Sequence, residues 1–114
     1  MVFNTLVKNA YENAVKHGFW EDVEEKWLRI AFKDKENKVD VNAIGNRLML
    51  VTGEVAEAHE ALRKNDRVNF AEELADIVIR VADLAGGLGI DLEKEIIDKM
   101  EKNKLREYKH GKEF

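Results

Sequence analysis

The feature that most limits the fold is a stretch between positions 41 and 64 in which apolar residues recur with the period of an α-helix. They lie alternately four and three positions apart: Ile44, Leu48, Val51, Val55, Ala58 and Leu62. This spacing places all of them on one face of a single long helix. The whole chain also lacks proline and is rich in Ala, Leu, Glu and Lys, which favours helix elsewhere. The sequence therefore predicts an all-α fold.

Capping residues and glycines predict where the helices begin and end. We expect helices at Phe3–His17, at Val41–Lys64 after an N-cap at Asp40, from an N-cap at Asn69 to Gly86-Gly87, and from an N-cap at Asp91 through Leu92 to about Tyr108. Glu72 follows Asn69 by three residues, as in a capping box. Between positions 21 and 38 a further short helix is compatible with the sequence, so four to five helices are expected.

The later helices carry apolar faces like that of the long one. These faces consist of Phe70, Leu74, Ile77, Val81, Leu84 and Leu88 on the next helix, and of Leu92, Ile96 and Met100 on the last. We expect them to face the core of one domain that spans residues 1–114. A helical chain of this length often completes its core by oligomerising.

The composition excludes several classes of protein. With 23 acidic and 19 basic residues and a net charge of −4, the chain lacks the basic surface that duplex nucleic acid requires. It has no cysteine, which excludes disulfides and thiolate metal ligands. No stretch approaches the ~20 apolar residues that span a bilayer, and the first residues do not form a signal peptide. We expect a cytoplasmic protein with neither nucleic acid nor membrane as a partner.

Two pairs of acidic residues lie beside the apolar faces of the two central helices. Glu54 and Glu57 form one pair, and Glu73 and Asp76 form the other. Residues three positions apart share a helix face, so the two pairs converge if these faces pack together. Four carboxylates in one small volume repel each other unless cations lie between them. Oxygen ligands without cysteine favour Mg²⁺, or Mn²⁺, over zinc.

The last helix contributes a polar face of the opposite character. Lys99, Asn103, Arg106 and His110 share it. A cationic face complements the phosphate charge that metal ions leave unneutralised, so the combination is typical of phosphoryl or nucleotidyl chemistry. A di-iron centre agrees less well with the sequence, because it needs several Glu-x-x-His pairs and only Glu107 and His110 have that spacing.

Two alternatives remain open at this level. Phe19 and Trp20 follow the first helix, and they either complete the core or form a surface for a flat ligand such as a nucleobase.

Pairs of acidic residues with this spacing are also common in a chain with 23 acidic residues, and they can be solvated surface charge. The chain would then be a non-catalytic helical module that binds or regulates other helices.

From about Asn46 to Phe114 the chain resembles the MazG-like nucleotide pyrophosphohydrolases. These belong with the all-α NTP pyrophosphatases, which include dCTP pyrophosphatase. The resemblance rests on the order of Gly53-Glu54-Val55-Ala56-Glu57, Glu72-Glu73-Leu74-Ala75-Asp76-Ile77, Gly89-Ile90-Asp91-Leu92, and Lys99-Met100 with Asn103 and Arg106. The segments His17-Gly18-Phe19-Trp20 and His110-Gly111-Lys112 are also similar to a MazG-like branch.

The resemblance implies an all-α MazG-like bundle that assembles as a homodimer or homotetramer. It implies Mg²⁺-dependent hydrolysis of a (d)NTP to a (d)NMP and pyrophosphate, as in house-cleaning of the nucleotide pool. The residues that it implies for metal binding and catalysis are Glu54, Glu57, Glu73 and Asp76. Those that it implies for substrate binding are Lys99, Asn103 and Arg106 at phosphate, and Trp20 and Asn46 at base or sugar.

The chain departs from dCTP pyrophosphatase at Arg80, one turn after Asp76, where such relatives often have an aromatic residue. Two interpretations of this arginine are open. Its guanidinium either reaches a phosphate of the substrate or forms an ion pair with Asp76 on the same helix. The departure leaves the preferred base unassigned.

Overall fold

The structure is a computed structural model that describes residues 2–23, 25–34 and 40–106. These residues form five α-helices and no β-strand, which confirms the predicted all-α fold. The helices are α1 (Val2–Lys16), α2 (Glu25–Lys33), α3 (Val41–Arg63), α4 (Arg67–Leu88) and α5 (Leu92–Lys104). The end of the last helix expected near Tyr108, and His110, lie outside the described residues. No helix in the described ranges is both long and apolar enough to cross a membrane.

Aspartates cap the three later helices. Asp40, Asp66 and Asp91 each accept a hydrogen bond from the backbone N–H three residues further on. The caps expected at Asp40 and Asp91 are therefore confirmed. The cap expected at Asn69 is wrong, because the Asn69 N–H donates to the Asp66 carboxylate at 3.1 Å and α4 already begins at Arg67.

Among the five described helices, α3 and α4 share the most extensive packing. Residues 64–66 join them, and so short a connection makes the two helices an antiparallel hairpin. Asn65 has a φ of 57°, in the left-handed region that often follows the end of a helix. Helix α1 packs against α4, α2 also contacts α4, and α5 packs on α1. The hairpin is thus the framework on which α1 and α2 lie, and α5 lies in turn on α1.

The glycine pair in α4 packs closely and does not end the helix. The expected stop at Gly86-Gly87 is wrong, since α4 continues to Leu88 and ends at Gly89, whose φ is 71°. A Cβ atom at Gly87 would overlap the indole ring of Trp20. Glycine is therefore required there for the close approach of the chain segment after α1.

The buried core is divided into two clusters around α1 and the end of α4. One consists of Ala14, Trp20, Leu28 and Leu88, and the other of Val7, Ala82 and Ala85. Partly buried side chains such as Tyr11 and Ile90 extend these clusters. The core therefore joins α1, α2 and α4.

The predicted core faces are only partly buried. The expectation is wrong for seven residues, which are exposed: Leu48, Val55, Leu62, Leu74, Val81, Ile96 and Met100. On α3 the buried residues are Ala43, Arg47, Ala58 and Ala61, of which only Ala58 belongs to the predicted face. The buried residues are centred on a face next to the predicted one, and the small side chains of the three alanines allow close helix packing. Leu48, Val55 and Leu62 lie outside that face and remain exposed.

Candidate metal centre

Three carboxylates from α3 and α4 meet within the helical hairpin. One oxygen atom from each of Glu54, Glu57 and Glu73 lies within 4.8 Å of the other two. The acids of α3 are one helical turn apart and share a face, and α4 brings Glu73 to that face. The structure thus brings together three of the four acids expected as metal ligands.

Asp76 is not a member of this group of three. It lies one turn beyond Glu73 on α4 and is exposed. Its side chain lines a cavity that is also lined by Glu54. Asp76 is therefore placed at the edge of the acidic cluster, on the side where the cavity opens.

Glu73 is the carboxylate whose environment is least favourable for a negative charge. It is only 9% exposed, and its Oε2 atom is buried without a hydrogen-bond partner. A hydrogen bond with Glu54, burial and the nearby charge of Glu57 raise the pKa of Glu73 to about 7. A buried oxygen without a partner costs free energy, which a bound cation would recover. The cluster therefore fits a divalent metal better than it fits isolated carboxylates.

Arg80 pairs with Glu54 across the hairpin. Its Nε–H donates to Glu54 Oε1 at 2.9 Å, and the two side chains are 30% and 14% exposed. This hydrogen bond, with a second one from Glu73, keeps the pKa of Glu54 below its ordinary value. The ion pair of Arg80 is therefore formed with another helix, and the pair with Asp76 considered from the sequence is wrong. Local spacing favoured Asp76, but helix packing supplied a closer partner.

A cavity of about 220 Å³ opens beside these residues. It is lined by α1, by Phe19 from the following turn, and by Asp76, Arg80 and Asp83 from α4, in addition to Glu54. The guanidinium of Arg80 lies 5.8 Å from the centre of the Phe19 ring. The cavity wall therefore combines carboxylates, one arginine and one aromatic ring.

Trp20 lies in the core and does not face the cavity. It is 2% exposed, its indole N–H donates to Asp83 Oδ1 at 2.7 Å, and the Arg47 guanidinium lies 4.0 Å from the ring centre. A base or sugar contact by Trp20 therefore does not fit this structure, because protein groups already cover the ring. Phe19 is 53% exposed and supplies the aromatic ring at the cavity.

The remaining residues expected at the substrate lie elsewhere on the surface. Lys99 and Asn103 are exposed on α5, and Arg106 is exposed just beyond it. Helix α5 packs on α1, whereas the acids lie between α3 and α4. Asn46 is exposed on α3. None of these four residues lines the cavity beside Glu54, and their contacts with substrate stay predictions.

Sequence reasoning missed the buried arginine that holds the turn after α1. Arg47 donates to Asp22 at 2.6 Å and to the backbone carbonyl of Phe19 at 3.0 Å. The hydrogen bond from Arg47 lowers the pKa of Asp22. Together these bonds fix the turn that carries the Phe19 ring. The available signal was the position of Arg47, which lies on the same face of α3 as Ala43 and Glu54.

The amino-acid sequence of the chain matches one known protein family. A family model described as the MazG-like family matches residues 49–114, more than half of the chain, including all four acids. The chain belongs to the MazG-like family. Comparison with curated proteins and with solved structures gives no match. The family membership inferred from the acidic motifs is thus confirmed. The match begins within α3, so α1 and α2 of this MazG-like chain lie outside it.

In the metal-free MazG-like protein, the environment of Glu73 predicts that stability depends on pH. Its pKa is about 7 in the folded chain against an ordinary value of 4.5, so the folded state binds more protons between these values. Stability should therefore fall as the pH rises through this range. Urea unfolding in the presence of a chelator, at about pH 5 and about pH 8, measures the fall.

The matched variants are Glu73→Gln and Glu101→Gln, the second altering an exposed acid that pairs with Lys104 on α5. Glu73→Gln should reduce the difference in stability between the two pH values, and Glu101→Gln should leave it unchanged. Equal pH dependence in Glu73→Gln and in the unaltered chain would contradict the prediction.

Proposed function

We propose that the chain is a metal-dependent nucleoside triphosphate pyrophosphohydrolase that converts a (d)NTP to a (d)NMP and pyrophosphate. The observation that carries the proposal is the buried, unpartnered Glu73 oxygen within a cluster of three carboxylates, in a chain of the MazG-like family. Mg²⁺ is the proposed ion and Mn²⁺ the alternative, because the donors are carboxylate oxygens. The proposed role is removal of unwanted nucleotides from the pool.

The residues that would hold the metal are Glu54, Glu57 and Glu73, with Asp76 at the edge of the cavity. The metal, when bound, would neutralise triphosphate charge and make water a better nucleophile. The carboxyl of Glu73 must lose its proton to serve as a ligand, and a pKa of about 7 lets it do so near neutral pH. Asp76, outside the group of three, is the acid proposed to accept a proton from water.

The cavity supplies the proposed contacts with the nucleotide. The exposed Phe19 ring offers a surface on which a base can stack. Arg80 places a guanidinium on the same wall, where a phosphate group of the ligand can be bound. Lys99, Asn103 and Arg106 on and after α5 remain the proposed further phosphate contacts.

The proposed assembly is a homodimer or homotetramer. The support is the apolar surface left uncovered on the hairpin, which includes Leu48, Val55 and Leu62 on α3 and Leu74, Val78 and Val81 on α4. The three residues of α3 are seven positions apart and therefore lie along one side of the helix. Large apolar surfaces left exposed on a protein are typical of protein–protein contacts.

Release of pyrophosphate from canonical and modified nucleoside triphosphates in the presence of Mg²⁺ tests the proposed activity. We expect at least one triphosphate to yield equal amounts of monophosphate and pyrophosphate, and a chelator to stop the reaction. Absence of pyrophosphate from every triphosphate, with Mg²⁺ and with Mn²⁺, would refute the enzymatic proposal.

The uncovered apolar faces also favour a second candidate function, that of a non-catalytic helical module. Thermal melting separates the two functions, because a ligand that binds only the folded state raises the melting temperature. The enzyme should melt at a higher temperature with Mg²⁺ and a triphosphate together than with either alone. The module should melt at the same temperature under all these conditions.

A further inference from the structure

Arg80 already provides the acidic cluster with one positive charge. Its Nε–H donates to Glu54 Oε1 at 2.9 Å, in a pair whose members are 30% and 14% exposed. Glu54 is also one of the three carboxylates that approach within 4.8 Å of one another. The guanidinium therefore neutralises charge that a metal ion would neutralise. A metal that takes Glu54 as a ligand must compete with Arg80 for the same carboxylate.

Arg80 has a second favourable environment close by. The centre of the Phe19 ring lies 5.8 Å from its guanidinium carbon, and both residues line the cavity of about 220 Å³. An aromatic face stabilises a nearby guanidinium. If Glu54 turns to a metal, the guanidinium can stay beside Phe19 with its N–H donors directed at the cavity. Those donors match the oxygens of a phosphate group.

We propose that Arg80 is an exchangeable counter-ion of the candidate metal centre. In the metal-free protein it pairs with Glu54, and metal binding releases it to the cavity, where it binds the phosphate groups of the nucleotide. This inference rests on the proposed metal site. It gives metal binding and triphosphate binding a physical connection, since one event makes available the group that the other needs.

The first test measures the affinity for Mn²⁺ alone by isothermal titration calorimetry. The test variant is Arg80→Met, which removes the competing cation. The matched control is Lys94→Met, which also removes one positive charge from an ion pair, that with Asp98 at 2.7 Å on α5. Arg80→Met should bind Mn²⁺ about fivefold to tenfold more tightly than the unaltered chain. Lys94→Met should stay within about twofold, the small effect expected of an exposed pair.

Each result of this titration has a distinct meaning. Mn²⁺ binding that is unchanged or weakened in Arg80→Met, with normal binding in the unaltered chain, overturns the counter-ion role and leaves the metal centre intact. Absence of Mn²⁺ binding in both proteins overturns the proposed metal centre and this inference with it. A melting temperature in chelator shows whether Arg80→Met is folded, and Arg80→Gln, which also removes the positive charge but keeps a polar side chain, provides a second variant if it is not.

The second test observes the guanidinium directly by NMR. The Nε–H signal of Arg80, assigned by its loss in Arg80→Lys, should shift when Mg²⁺ is added, because its hydrogen bond to Glu54 is broken. The internal control is Arg29, whose Nε–H donates to the Gly87 carbonyl at 3.3 Å. Its signal should stay in place. An Arg80 signal that does not move at Mg²⁺ concentrations that raise the melting temperature would overturn the proposal.

Discussion

Glu73→Gln is expected to lower kcat for hydrolysis by about 10²–10³-fold, the scale of removing one preorganised group from an active site. The amide keeps the shape of the side chain but removes the negative charge and one metal-binding oxygen. The neutral side chain also suits the buried position beside Glu54 and Glu57, so the fold should persist. Pyrophosphate release measures the loss of activity, and thermal melting with and without Mg²⁺ measures the loss of metal binding.

The matched control is Glu72→Gln, which alters the exposed acid next to Glu73 on α4. This control should retain both activity and the Mg²⁺-dependent rise in melting temperature. Glu54→Gln and Asp76→Asn should each lose turnover while remaining helical. Full activity in Glu73→Gln, Glu54→Gln and Asp76→Asn alike would refute the assignment of the metal centre.

Trp20→Ala is expected to lower the free energy of unfolding by about 3–5 kcal/mol, the range for deleting a large buried aromatic side chain. The indole is 2% exposed, packs on Gly87, donates to Asp83 and stacks under Arg47. Its removal leaves a cavity and deprives α3 and α4 of a shared contact. Urea unfolding measures the change, and it separates a core role from a ligand contact, whose loss would leave the stability unaltered.

The chain contains its own control for this experiment. Trp27 is 64% exposed on α2, so Trp27→Ala should change stability by no more than about 1 kcal/mol. Trp20→Phe should lie between the two alanine variants, because it keeps an aromatic ring and loses the hydrogen bond to Asp83. Equal stability in Trp20→Ala and Trp27→Ala would contradict the packing described for the core.

The helix positions were largely predictable because the signals that determine them are local. The apolar period and the caps at Asp40 and Asp91 fixed α3 and the start of α5 closely. The start of α4 was missed because Asp66 and Asn69 are both good capping residues, and only the backbone geometry decides between them. The role of Gly87 was missed because glycine is required there by the packing of Trp20, which is far away in the chain.

The candidate site, like the fold, depends partly on local spacing within a helix and partly on contacts between distant parts of the chain. The spacing of the acids within each helix is local, so their convergence could be expected from the sequence. The partner of Arg80 is Glu54 on another helix, and helical spacing indicates only neighbours on the same one. Apolar periodicity likewise shows that a face is hydrophobic but not whether the same chain covers it, which is why Leu48 and Val55 were placed in the core.

The candidate centre has a modular construction. Its clustered carboxylates all belong to the α3–α4 hairpin, whereas α1 and the turn that carries Phe19 form another wall of the cavity. If the hairpin performs hydrolysis as proposed, substitutions in the first 23 residues can change which nucleotide is preferred without altering the metal ligands. The N-terminal segment is therefore the part of this chain in which to engineer, and to look for, a change of substrate.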